Sequence, residues 1–87
     1  MNEEAAQGKP VKVVGAVAQA FRILRLLAAA NRPLGVNAIA RDAGVNPSTA
    51  FNILRTLVIE EAIEFDELSK TYKLGAGLLR LCSKLLE

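Results

Sequence analysis

Histidine and tryptophan are absent from this chain of 87 residues, and cysteine and tyrosine each occur only once. Without histidine, the most common general base and metal ligand is missing, and a single cysteine leaves nothing that resembles a zinc site. Cys82 lies among leucines, so we interpret it as a small apolar residue rather than a nucleophile. The sequence contains neither paired carboxylates in a plausible cleft nor a glycine-rich phosphate loop. It therefore predicts a protein that is not an enzyme and that needs neither a metal nor a cofactor.

Disulfide bonds, a signal peptide and long apolar runs are also missing from the sequence. One cysteine cannot form an intramolecular disulfide, which favours a reducing compartment. The N-terminus carries Glu3 and Glu4 instead of the basic and apolar segments of a signal peptide. No uninterrupted apolar stretch reaches the roughly 20 residues that span a membrane. We therefore predict a cytoplasmic protein without a membrane partner.

Charge is present in moderation and is unevenly distributed along the chain. The net charge is only +2, but the region from Phe21 to Arg55 contains five arginines and one acid, Asp42. The five charged residues from Glu60 to Glu67 are all acidic. This separation predicts an electropositive half of the domain, which suits a polyanionic partner.

The periodicity of apolar residues predicts three helices in the first two thirds of the chain. Residues 1–12 are polar and are interpreted as a flexible arm. Helical spacing then extends from about Gly15 to Ala30, and Asn31-Arg32-Pro33 ends it. The apolar stripe of this first helix is assigned to Val17, Ala20, Phe21, Leu24, Leu27 and Ala28. A second, short helix fits Val36 or Asn37 to Ala43, with Asn37 as a possible cap.

Gly44 separates the second helix from a third in the stretch AGVNPSTAFN. Glycine supplies the left-handed backbone that a helix-ending residue needs, and Asn46 followed by Pro47 is a favourable start for the next helix. Small Ala40 and apolar Val45 suit a close, steep crossing of the two helices. We assign the third helix to residues 47–59, with Ala50, Ile53, Leu54, Leu57 and Val58 facing inward.

Two short alternating segments, 62–66 and 71–74, then predict a β-hairpin with its tip at 67–70. A last helix is predicted from Gly75 or Ala76 to the end of the chain. Three helices, a hairpin and a further helix predict a mainly α fold, the winged helix-turn-helix. Its parts are a three-helix core, a two-stranded β-hairpin wing and a C-terminal linker helix. We place the winged helix-turn-helix domain at residues 13–75 and the start of the linker helix at 76–87.

A helix-turn-helix places its second helix in the major groove of double-stranded DNA. The predicted outward face of the third helix carries hydroxyl, amide and guanidinium groups, and no carboxylate occurs from Ala43 to Ile59. These groups can bond phosphates or base edges; an asparagine can pair with adenine and an arginine with guanine. The candidate DNA-binding residues are Arg41, Asn46, Pro47, Ser48, Thr49, Phe51, Asn52, Arg55, Thr56, Lys70 and Lys73.

Two points about this interface stay open at this stage. Arg41 contacts either a phosphate or only a neighbouring acid, and the wing with Lys70 and Lys73 either touches DNA or mainly caps the core. The alternative function is a winged helix that binds a protein partner without binding DNA, which the acidic cluster after the third helix favours.

The sequence resembles the N-terminal DNA-binding domain of the IclR family of bacterial transcription regulators. The resemblance lies in AQAFRILRLLA, LGVNAIARDAGVNPSTAFNILRTL and TYKLGAGLL, and it covers residues 13–87. Some positions depart from the family pattern. Asn52 stands where an arginine is frequent, Asn46-Pro47 where proline and a basic residue are frequent, and Glu61-Ala62 where a glycine is frequent. These departures concern the target sequence rather than the fold.

The resemblance also implies features beyond the DNA-contacting helix. It implies a homodimer formed through the first helix and the helix after the wing, for which the candidate residues are Ile23, Leu26, Leu79 and Leu86. It implies that a small-molecule effector binds only through a larger C-terminal domain. Because the 87 residues end within an apolar pattern, we expect the sequence to be a fragment of such a regulator.

Overall fold

The structure, a computed structural model, describes residues 10–87 of the chain. Most of the predicted arm, residues 1–9, lies outside this range. The order of elements is α1 (Gly15–Ala29), α2 (Val36–Ala43), α3 (Pro47–Ile59), β1 (Ile63–Asp66), β2 (Thr71–Leu74) and α4 (Gly77–Cys82). Three packed helices followed by a two-stranded antiparallel hairpin form a winged helix-turn-helix, which confirms the predicted fold class.

The turn between α2 and α3 has the predicted geometry. Gly44 ends α2 with φ 68° and ψ 39°, in the left-handed region that favours glycine. Asn46 caps α3 because its side-chain Oδ1 accepts a hydrogen bond from the Ser48 N–H at 2.9 Å. Behind this turn, Ala40, Val45 and Ala50 form a small buried cluster. Their small volumes let α2 and α3 approach closely, and this contact fixes the angle at which α3 leaves the body.

The inward face of α1 differs from the sequence prediction. Ile23 is fully buried and Leu27 nearly so, whereas Val17 and Phe21 are exposed over about half of their surface (55% and 52%). The predicted stripe was therefore wrong at Val17, Phe21 and also Ala28, and right at Leu27. Two apolar stripes compete on this helix, and periodicity alone does not decide which one meets α2, α3 and the wing.

The wing is a short ladder that is tied to the helical body. Ile63 pairs with Leu74 and Asp66 with Thr71 at the two ends of the antiparallel register. Leu34, in the loop after α1, adds a β-bridge to Tyr72: the N–H of each residue donates to the carbonyl of the other, at 3.0 and 2.8 Å. Tyr72 is buried, and its ring lies 4.8 Å from that of Phe65. The hairpin is therefore joined to the core both by backbone hydrogen bonds and by aromatic packing.

The connection from α3 to the wing explains two residues that the sequence left unassigned. Glu61 adopts φ 66°, so the position where the family pattern often has glycine does use the left-handed backbone. Gly77 opens α4 directly against this turn, and a Cβ atom there would overlap the Glu61 carbonyl oxygen. Arg80 and Glu61 form an ion pair at 2.6 Å across the same junction. The predicted last helix is shorter than expected, since α4 ends at Cys82, which is half-buried.

Candidate nucleic-acid interface

The outer surface of α3 is divided into two edges by the direction of its side chains. Thr49, Asn52 and Thr56 lie along the edge that faces the first half of α1; we call this the amide edge. Phe51 and Arg55 lie along the edge that faces the wing; we call this the ring edge. Ala50, Ile53 and Leu54 are buried behind both edges, as the sequence predicts. The candidate residues Asn52, Arg55, Phe51 and Thr56 are all exposed, and Thr49 is half-exposed.

The amide edge borders a groove of about 460 Å³ between α1 and α3. Its other wall is apolar and is formed by Ala16, Val17 and Ala20 of α1. The hydroxyl of Thr56 donates to the Asn52 carbonyl at 2.9 Å, so its oxygen remains only as an acceptor. The side-chain amide of Asn52 stands at the rim of this groove, where it can meet a base edge from outside.

The ring edge borders a second cavity, of about 270 Å³, between α3 and the wing. Phe65, Glu67 and Tyr72 of the wing line it together with Phe51, Arg55, Val58 and Ile59 of α3. The Arg55 guanidinium lies over the Phe51 ring, 5.9 Å from its centre. Burial raises the pKa of Tyr72 above its ordinary value, and the positive charge of Arg55 acts on it in the opposite direction. Glu67 lines the same cavity but is paired with Lys70, and in residues 10–87 the structure records no ion pair for Arg55, so its charge is available to an external anion.

The start of α3 is arranged differently from the sequence-based expectation for Ser48. Both the N–H and the hydroxyl of Ser48 donate to Asn46 Oδ1, at 2.9 and 2.8 Å, so the capping residue uses both donors. Asn46, Pro47 and Ser48 are all exposed at this end of the helix. The positive end of the α3 dipole points outward here, which favours an approaching phosphate. Ser48 can offer such a phosphate a donor only by giving up its bond to Asn46.

Basic residues beside α3 are partly neutralised by acids. Arg41 Nε lies 3.0 Å from Asp42 Oδ1 on the exposed surface of α2. In the wing, Lys70 Nζ lies 3.3 Å from Glu67 and Lys73 Nζ lies 4.0 Å from Glu64. Exposed pairs of this kind contribute little to stability and break readily when a phosphate competes. Each of these three cations therefore has an acidic partner. Arg55 differs from them, because no ion pair is recorded for it within residues 10–87.

The tip of the wing is held by Asp66. The N–H groups of Ser69 and Leu68 donate to Asp66 Oδ1 at 3.1 and 2.8 Å, and they hold the pKa of that carboxyl below its ordinary value. Lys70 adopts φ 57° to close the turn. Leu68 is 97% exposed at the end of the hairpin. The tip is therefore ordered by its own backbone and presents an acid, a lysine and a leucine.

Each of the two cavities has one wall from α3 and one from a distant part of the chain, and the sequence did not indicate the distant wall. Val17 was assigned to the core, although it faces the amide edge of α3. Tyr72 and Phe65 were read as strand residues only, although both line the cavity at the ring edge. The alternation in 62–66 and 71–74 reveals which face of the hairpin is apolar, but not that this face meets α3.

Residues 10–87 contain no group of three or more histidine, cysteine, aspartate or glutamate side chains placed to hold a metal ion. Within the same range, no helix has the length and apolar character needed to cross a membrane.

Comparisons with known proteins agree with this architecture. The chain is 46% identical over 69 residues to the glycerol operon regulatory protein of Streptomyces coelicolor, and 42% identical to that of Streptomyces griseus. Each alignment covers 79% of this chain and 27% of the relative, so the chain spans about a quarter of the length of these regulators.

Solved structures give the same result. An IclR transcriptional regulator from Alicyclobacillus acidocaldarius superposes with a TM-score of 0.81 at 36% identity, over 85% of this chain and 30% of that one. An IclR family regulator from Brucella abortus has a TM-score of 0.78 at 32% identity, over 86% and 29%. Residues 16–67 match the family described as the IclR helix-turn-helix domain. The chain therefore belongs to the IclR family of helix-turn-helix, DNA-binding transcription regulators.

Proposed function

We propose that this domain binds double-stranded DNA in a sequence-specific manner, with α3 as the recognition helix in the major groove. One observation carries the proposal. The second helix of the helix-turn-helix, α3, has no carboxylate on its exposed surface and presents Asn52 and Arg55 outward. An amide can pair with adenine, and a guanidinium can pair with guanine or contact phosphate. The family membership supports the same partner. The pairing of Lys70 and Lys73 with acids makes the wing a secondary contact.

The second candidate is a winged helix that binds a protein partner. The acidic residues Glu60, Glu61, Glu64, Asp66 and Glu67 favour it, because all of them are exposed on the side of the wing. Such a surface repels phosphates and attracts basic proteins. The two candidates differ in how they respond to salt.

We expect the affinity for duplex DNA to fall steeply as the salt concentration rises. Each neutralised phosphate releases counterions, so a protein that contacts roughly 6–10 phosphates loses about 10³–10⁵ in affinity between 50 and 200 mM salt. The measurement is fluorescence anisotropy with a pool of labelled random duplexes and with one duplex enriched from that pool. A domain that binds only protein has no measurable affinity for either duplex at 50 mM salt, and this result would reject the proposal.

We further propose that the domain acts as a homodimer and that a small-molecule effector acts through a separate C-terminal domain. Leu79 and Leu86 are exposed over 67% and 74% of their surface, and Leu26 is half-buried. Ile23, the fourth residue predicted for the interface, is fully buried within one chain and cannot contact a second copy. That assignment was wrong because Ile23 fills the space between α1, α3 and the wing. The candidate dimer surface is therefore Leu26, Leu79 and Leu86.

The double substitution Leu79→Ser and Leu86→Ser should weaken self-association by at least about tenfold, since each leucine withdrawn from an interface costs roughly 1.5–3 kcal/mol. Sedimentation velocity over a range of protein concentrations measures the change. Leu68→Ser is the control, because it removes an even more exposed leucine (97%) at the wing tip, away from the candidate dimer surface. A native chain that stays monomeric at millimolar concentration, or an equal loss in the control, would contradict the dimer.

A further inference from the structure

Phe51 is an exposed aromatic ring in the middle of the proposed recognition helix. Its surface is 46% exposed. By contrast, Ala50, which precedes it in the sequence, and Leu54, which lies on the next turn of the helix, are fully buried. The ring does not belong to either buried cluster of the domain. Its position on the ring edge therefore needs an explanation other than the core.

Arg55 follows Phe51 by one helical turn, and its guanidinium lies over the Phe51 ring. The guanidinium carbon lies 5.9 Å from the centre of the ring, within the range of a cation–π interaction. This contact restricts the rotamers of Arg55 before any ligand binds, so less conformational entropy is lost when its planar fork forms hydrogen bonds. Phe51 and Arg55 thus form one preorganised unit with an apolar part and a bidentate donor.

The major groove contains a chemical partner for each part of this unit. The C5 methyl group of thymine is the apolar group that a base pair presents there, and phenylalanine is one of the side chains that contact it. Guanine presents O6 and N7, which accept two hydrogen bonds from an arginine. A ring and a guanidinium that touch each other match a methylated pyrimidine and a guanine in neighbouring base pairs.

We propose that Phe51 and Arg55 together read a 5-methylpyrimidine, normally thymine, that neighbours a guanine in the DNA site. This inference rests on the proposed function, because it assumes that α3 lies in the major groove. It assigns the apolar contact to the ring edge and leaves Asn52, on the amide edge, to a different base pair. The cavity of about 270 Å³ beside the ring leaves room for the methyl group next to Phe51.

The experiment starts with a duplex selected from a random pool by the native chain. Each thymine is then replaced in turn by deoxyuridine, which removes only the methyl group, and affinity is measured at fixed salt. We expect one thymine per bound domain at which the replacement weakens binding about fourfold, the contribution of one buried methyl group. When a cytosine·guanine pair is placed at that position instead, methylation of the cytosine at C5 should strengthen binding by a similar factor.

Three variants assign the effect to its residue. Phe51→Ala should bind the thymine and the deoxyuridine duplex equally. Leu81→Ala, which removes an exposed apolar side chain from α4, outside the lining of this cavity, should keep the fourfold difference. Asn52→Ala should also keep it while losing affinity overall. Circular dichroism checks that each variant is folded, which we expect because all three side chains are exposed.

The outcomes separate this inference from the function on which it rests. If the chain binds the selected duplex but no methyl group matters, or if Phe51→Ala keeps the difference, the reading by Phe51 and Arg55 is wrong and DNA binding stands. If no duplex binds at low salt, both proposals fail. A fourfold methyl effect that Phe51→Ala alone abolishes supports the inference.

Discussion

Replacing Ile23 by alanine is expected to lower the free energy of unfolding by about 2–5 kcal/mol, the range for removing a large buried aliphatic side chain. Ile23 has no exposed surface and packs in the main core with Leu27, Leu54 and Ile63. A domain of this size has a total stability of roughly 5–15 kcal/mol, so the substitution removes a large part of it. We expect a lowered urea midpoint with an unchanged slope.

Val17→Ala is the matched control, because it shortens another β-branched residue in the same helix at an exposed position. Both substitutions raise helix propensity by a similar amount, so the difference between them reports burial. We expect Val17→Ala to change stability by less than about 0.5 kcal/mol. Two outcomes would indicate that Ile23 lies in a dimer interface: equal changes in the free energy of unfolding for the two substitutions, or a change for Ile23→Ala that depends on protein concentration.

The α1 helix shows why part of the fold could not be predicted from the sequence. Periodicity correctly gave a helix between Gly15 and Ala29, because helical spacing is a local property. It did not give the buried stripe, because AVAQAFRILRLLA is apolar on two sides. Only the partners supplied by α2, α3 and the wing decide between Ile23 and Val17. Where one side is polar, as in α3, the inward face was predicted correctly.

The turn into α3 was predictable in detail because its chemistry is local. Gly44 and Asn46 each act within a few residues through a left-handed backbone angle and a side-chain cap. The local view still failed to show that Asn46 takes both donors of Ser48. The bridge between Leu34 and Tyr72 joins residues far apart in the sequence, and no pattern within either segment indicates it.

The candidate interface was predicted as a set of residues, but its division into two edges was not. Spacing places Asn52 and Arg55 on the outside of α3, which the structure agrees with. Which of them faces α1 and which faces the wing depends on the crossing angle of α3, and the cluster of Ala40, Val45 and Ala50 sets that angle. The charge on each edge also depends on distant pairing, since Lys73 lies beside Glu64 only across the hairpin.

Arg55→Glu is expected to abolish specific DNA binding, with a loss of at least about a hundredfold. Removing a bidentate arginine contact costs roughly 1–3 kcal/mol. The new carboxylate adds repulsion from the phosphates, because it would be the only acid on the outer surface of α3. The fold should be retained, since Arg55 is exposed and glutamate favours helices, with only the contact to the Phe51 ring lost.

Lys84→Glu is the control for this reversal, because both substitutions take the net charge from +2 to zero. Lys84 lies beyond α4, and its only recorded partner within residues 10–87 is Glu87 at 4.0 Å. Anisotropy titrations at fixed salt should show a small loss for Lys84→Glu and the full loss for Arg55→Glu. Arg55→Lys separates the two roles of the arginine: it should keep phosphate attraction and lose the preference for guanine. Equal, small losses in both glutamate variants would mean that affinity follows net charge and that the ring edge of α3 does not contact DNA.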